Sequence, residues 1–209
     1  MARVVQIVGM VFVSLALAAS ARAQEPKVGS VEYKDTADLG FKLKVPQGWE
    51  TVPPTPDDVN TITKYVPHGL KSVELNGKLL DVMAFVIKFD RRKKDEGAAE
   101  NPKSGAQRVF HNCKDIQEWM KTNLGGLGGM HLDSQKDCVV NKVPATQFDY
   151  STQGDPKAVI HFYAMVYKLK PDCEIAFGVL GPGDKRWTKW AGPVDQLAKS
   201  FSTVEVKEV

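Results

Sequence analysis

Leu79-Leu80-Asp81-Val82-Met83-Ala84-Phe85-Val86-Ile87-Lys88-Phe89-Asp90 is apolar at nearly every position. Its β-branched and aromatic content marks it as a strand rather than a helix. Successive side chains of a strand point to opposite sides. Leu79, Met83, Phe85, Ile87 and Phe89 therefore share one face, and Leu80, Val82, Ala84 and Val86 share the other. Stretch 157–169 repeats the pattern: Ile160, Phe162, Ala164 and Val166 oppose Val159, Tyr163, Met165, Tyr167 and Leu169. A strand that is greasy on both sides needs a layer over each of them.

The neighbouring segments supply further strands. Asn76-Gly77 is a hairpin signal joining Val73-Glu74-Leu75 to the first run. A Lys170-Pro171-Asp172 turn follows the second run and leads into a strand over 173–180. Positions 139–140 and 146–150 pair around Asn141-Lys142-Val143-Pro144. Phe41-Lys42-Leu43-Lys44-Val45 alternates strictly, as a half-buried strand does, and Pro46 stops it before Gly48 and Trp49. Pro53, Pro54 and Pro56 make 52–58 an irregular loop, with a PxxP ligand as the less favoured reading.

Two segments read as helices. Ile116, Trp119, Met120 and Leu124 fall on one helical face, with Asn112 as N-cap and Gly125-Gly126 as the stop. Near the C-terminus, Gly192 caps and Pro193 fits the first helical position. Val194, Leu197, Ala198 and Phe201 then form an apolar stripe, with an additional turn over 186–190 before it. Strands, helix, hairpin-linked strands and helix give an α+β order. The expected architecture is an α/β/α sandwich: a central, mainly antiparallel sheet flanked by helices on both faces.

The chain has 209 residues, 43% of them hydrophobic and 25% charged, which excludes disordered, collagen-like and coiled-coil classes. Residues 1–23 read as a signal peptide. Arg3 is the basic start, an apolar stretch follows, and Ala21-Arg22-Ala23 forms the small-x-small cleavage site. The apolar stretch is too short and too rich in Ala and Ser to read as a membrane anchor, so no stable span is expected in the mature chain. The expected division is a signal over 1–23, an N-terminal arm over 24–34 and a single domain over 35–209. Removing Arg3 and Arg22 leaves 26 basic residues against 25 acidic ones, from totals of 28 and 25. So balanced a charge argues against nucleic acid as a partner. The expected location is exported, either periplasmic or secreted.

Phe41-Lys42-Leu43-Lys44-Val45-Pro46-Gln47-Gly48-Trp49, the block 139–180, and a closing Leu197-Ala198-Lys199-Ser200-Phe201 together resemble the PsbP-like family. That family includes the extrinsic P subunit of photosystem II, a eukaryotic Ran-binding factor, and exported bacterial proteins of unassigned role. The resemblance implies the same α/β/α sandwich and a bias toward binding or accessory roles. Its motifs are structural, so no functional residue is carried over. Stretch 51–138 matches nothing specific in the family.

Signatures such as GxSxG, SxxK, HExxH, CxxC and GxxxxGK[ST] are absent from the sequence. No catalytic, cofactor-binding or metal-ligating residue is therefore assigned. His111-Asn112-Cys113 opens the first helix, where the macrodipole favours a thiolate; a half-buried cysteine or a disulfide half is the simpler reading. In an exported chain Cys113, Cys138 and Cys173 allow one bridge and one thiol left over, with the pairing open. His68, His111, His131 and His161 lack metal-ligand spacing, and His161 within a strand reads as a hydrogen-bonded interior residue. Gly125-Gly126-Leu127-Gly128-Gly129 leaves a helix instead of entering one, so it reads as a connector rather than a phosphate cradle. Two features offer a partner surface: the basic run Arg91, Arg92, Lys93 and Lys94, and the tryptophans Trp187 and Trp190.

The function these residues point to is an exported, non-catalytic binding or accessory protein of the cell envelope. It would present loops 51–70 and 90–108 to a protein or envelope component. The alternatives are an enzyme with a thiol/His site near His111 and Cys113, or a small-molecule or lipid carrier.

Overall fold

The computed structural model describes residues 24–55, 60–69, 72–75, 78–90, 130–152 and 160–206. Twelve strands and one helix are found among them. In chain order they are β1 (Lys27–Asp35), β2 (Phe41–Gln47), β3 (Glu50–Val52), β4 (Thr61–Val66), β5 (Ser72–Leu75), β6 (Lys78–Asp81), β7 (Met83–Asp90), β8 (Met130–Val140), β9 (Val143–Thr152), β10 (Ile160–Lys170), β11 (Cys173–Pro182), the helix α1 (Trp187–Lys199) and β12 (Ser202–Thr203). A seven-stranded sheet runs β3-β4-β7-β11-β10-β9-β8. A three-stranded sheet runs β1-β2-β12, and β5-β6 is a separate hairpin. Every pairing between these strands is antiparallel.

The two-faced reading holds in the centre of the large sheet. On one side, Val82, Ala84 and Val86 of β7, Tyr163, Met165 and Tyr167 of β10, and Ile175, Phe177 and Val179 of β11 join one buried cluster. On the other, Phe89, Ile160, Phe162, Ala164, Val166, Ala176 and Leu180 form a second buried cluster, with Phe85 and Ile87 packed against it.

The helical sandwich does not hold. The described residues are mostly strand and contain a single helix, so among them the sheet does not have the expected helices on both faces. On the first side the cover is shared by α1 and the small sheet. Leu39, Phe41, Leu43 and Val45 enter the same cluster as Trp190, Val194, Leu197 and Ala198. The inference failed at one step: a greasy face demands cover, and a second sheet provides it as well as a helix does. The other helix, expected over 112–124, lies outside the described residues.

The opening and closing motifs meet in this layer. Phe201 stacks on Phe41 at 5.5 Å and on Tyr167 at 3.9 Å between ring centroids. The Ser200 hydroxyl accepts the Lys44 N–H at 2.7 Å and donates to the Leu197 carbonyl. Trp49, beyond the left-handed Gly48 at φ 80°, packs on Trp190 at 5.5 Å.

Several boundaries differ from expectation. Residues 27–35, within and just past the expected arm, pair with β2 as a strand. Within 51–70, residues 61–66 form β4 between β3 and β7. The run 79–90 divides at Val82 into β6 and β7, which belong to different sheets. Helix α1 begins at Trp187, so Pro193 sits inside it rather than at its first position. Asp184 organises that early start: its carbonyl accepts the Trp187 N–H at 2.9 Å and its carboxylate the Arg186 N–H at 2.8 Å. No helix among the described residues is long and apolar enough to cross a membrane.

Candidate functional site

The β9–β10 register brings chemistry together on the α1 side of the large sheet. Ser151 faces both His161 on β10 and His131 on β8. One step along, Asp149 faces Tyr163 on one side and Ser134 on the other. These polar residues take the side-chain phase that carries Met165 and Tyr167 deeper in the core.

Asp149 is the centre of the group. His161 Nε2 lies 3.3 Å from Asp149 Oδ1, and the side chains are only 14% and 19% exposed. Asp149 Oδ2 accepts from Gln147 Nε2 at 2.8 Å and from Ser134 Oγ at 3.0 Å. Burial alone would raise the carboxyl pKa. The hydrogen bonds from His161, Gln147 and Ser134 outweigh it and hold the group below the usual carboxylate range.

The α1 side closes over this pair. Trp187 stacks on the His161 ring at 4.0 Å and 22°. Gly181 makes room for both tryptophans: a Cβ there would lie 2.9 Å from Trp190 Cζ3 and 3.2 Å from Trp187 Cζ3. The Tyr163 hydroxyl donates to Asp195 Oδ1 at 3.5 Å, and Asp195 Oδ2 pairs with Lys199 at 2.7 Å. Burial, with the charges of Asp195 and Asp149, pushes the Tyr163 phenol far above its ordinary value. The fully buried Tyr167 is also raised, by burial first, and donates to the Ala198 carbonyl at 2.6 Å.

At neutral pH, then, Asp149 is an ionised, weakly basic carboxylate and Tyr163 a protonated donor. The arrangement ties α1 to β9 and β10 through polar groups that satisfy one another.

The residues singled out from sequence are scattered. Trp190 is 1% exposed in the core, and Trp187 is half-buried on His161. Arg91, Arg92, Lys93, Lys94, His111, Cys113 and 125–129 lie outside the described residues. No disulfide joins Cys138 to Cys173. Cys173 is buried in the core. The half-buried Cys138 thiol lies 3.7 Å from Met165 Sδ, and burial pushes its pKa up against the pull of Lys199 and Lys136. Among the described residues no three His, Cys, Asp or Glu gather as metal ligands do. Ser134, Gln147 and Asp149 escaped the sequence reading. The one local signal was a carboxylate set between the aromatic residues Phe148 and Tyr150 on a strand.

No family model matches the chain, and no curated protein matches it. Among solved structures the fold is PsbP-like. The chain is similar to cyanobacterial PsbP (CyanoP) from Synechocystis sp. PCC 6803, with a TM-score of 0.54, 19% identity, and coverage of 83% of this chain and 91% of that one. Weaker likenesses are to the Ran-binding protein Mog1p of Saccharomyces cerevisiae, with TM-score 0.48, 11% identity and 86% and 97% coverage. LpqN of Mycobacterium tuberculosis follows with TM-score 0.46, 11% identity and 83% and 91% coverage.

Proposed function

We propose that this chain is an exported accessory protein of the cell envelope that acts by binding a protein partner rather than by turning over a substrate. The observation that carries the reading is the internal use of its most reactive-looking cluster. Asp149 receives three donors, and Asp195 is shared by Tyr163 and Lys199. A general base needs a pKa near the working pH, and Asp149 is shifted away from it. The leader over 1–23 supports export. The accessory bias implied by the PsbP-like resemblance points the same way.

The test is affinity capture of the tagged protein from cross-linked envelope fractions of its own host. The expected result is one protein recovered in near-stoichiometric amount, with the mature chain starting at Gln24 on N-terminal sequencing. Turnover of any substrate in hydrolase and thiol-exchange panels, abolished by Asp149→Asn or by Cys113→Ser, would overturn the reading. So would a mature chain retained inside the cell with Met1 intact.

A further inference from the structure

A cut after Ala23 leaves Gln24 as the first residue of the chain. The fold gives that residue a seat. Its N–H donates to the His68 carbonyl, just past β4, at 3.4 Å. Its carbonyl accepts the Trp49 Nε1–H at 3.2 Å. Its carboxamide lies against Gly48: a Cβ at that glycine, whose φ is 80°, would come within 2.9 Å of Gln24 Nε2. Gln24 is half-buried by these contacts.

The residues that follow keep it in place. Glu25 pairs with Lys189 of α1 at 3.7 Å, Pro26 is buried, and Lys27 opens β1 opposite Gln47. Nitrogen, carbonyl and carboxamide of Gln24 are thus each met by a different group. Those groups come from the β2–β3 turn and from the end of β4. The Gly48-Trp49 pair of the opening motif supplies two of the three.

Resting on the export reading above, we propose that this corner seats the mature amino terminus and controls a covalent modification of Gln24. A glutamine whose nitrogen is freed can close into a pyroglutamyl lactam. The amine attacks its own Cδ, the N–Cδ bond forms and the Cδ–Nε2 bond breaks. The carboxamide nitrogen leaves as ammonia, carrying the proton that the amine sheds. Closure needs the amine lone pair placed over Cδ. In the seat the nitrogen faces His68 and the carboxamide rests on Gly48, so both must let go before the ring forms. An open amine, with hydrogens that turn freely, keeps the His68 contact; a lactam has one N–H, fixed by its ring. Folded chains therefore retain an open, positively charged Gln24. Chains whose corner has come apart close irreversibly and lose that charge.

Intact-mass and fragment spectra of the protein purified from its host's envelope are the first measurement. A chain that starts at Gln24 with its full mass is expected. A start elsewhere overturns the leader reading and the seat together. A start at Gln24 already short of one ammonia overturns the seat alone. The purified chain is then incubated near neutral pH with and without guanidinium chloride. Loss of ammonia should be at least about tenfold faster in the unfolded chain, because closure in the native one waits on local opening. Trp49→Phe keeps a ring beside Trp190 but removes the donor to the Gln24 carbonyl. It should close several-fold faster than the parent without denaturant, with circular dichroism unchanged. Gly48→Ala should act the same way by crowding the carboxamide. Equal rates in native and unfolded chains overturn the proposal, as does a native rate that neither substitution raises.

Discussion

Strands β8 and β10 are both 11 residues long and lie two places apart in the same sheet, with β9 between them. In β10, Ile160 and residues 162–167 are buried on both faces; in β8, residues 131–137 are exposed on both. Only β10 carries a hydrophobic pattern. An apolar pattern is thus an imprint of burial, not of extended backbone. A strand held by ladder hydrogen bonds to one neighbour needs no pattern to exist.

The comparison can be broken from either side, and the largest effect is expected at the centre. Tyr167→Ala removes a ring stacked on Phe201 and takes from the Ala198 carbonyl its shorter hydrogen bond, leaving only the Phe201 N–H at 3.3 Å. A loss of about 3–5 kcal/mol is expected in urea unfolding. Asp149→Ala comes next. It strands His161, Gln147 and Ser134 without their acceptor, at a cost of about 1–3 kcal/mol by the same measurement.

The acid limb of stability sharpens the same point. Asp149 has a lowered pKa in the fold, so its contribution is complete above the unfolded carboxylate value of about 3.9 and is lost as pH falls through the lowered folded value. Unfolding free energy measured from pH 7 downward should therefore fall less steeply below about pH 4 in Asp149→Asn than in the parent. A parallel acid limb in the two proteins would remove Asp149 from the account. The smallest effect belongs to the edge. Val139→Ala should shift stability by no more than about 0.5 kcal/mol.

How much was legible follows from the same contrast. The strands over 83–90, 160–170 and 173–182 declared themselves because both their faces are covered. The β8–β9 turn was legible in place but not in length: 141–144 reads as the connection, whereas Asn141 and Lys142, both at positive φ, form a two-residue turn and Val143 and Pro144 already belong to β9. Residues 130–137 had no period to show. In β4 the inward positions are Thr63 and Tyr65, whose polar atoms disguise a core face. The kind of cover was not legible either, since Phe41, Leu43 and Val45 announce a half-buried strand without saying what lies beneath it. The Asp149–His161 pair needed the β9–β10 register. Those strands are joined across 153–159 rather than by a short turn, so spacing along the chain fixes no pairing.

The hairpin tip has a mechanical consequence. Asn141 Nδ2 donates to the carbonyls of Lys199 at 3.2 Å and Phe201 at 2.7 Å, where α1 gives way to β12. Strand β8 is therefore anchored at its root to the end of the helix, while the side chains of residues 131–137 along its span are exposed. Amide protection in β8 should accordingly fade from Val140 outward to Met130.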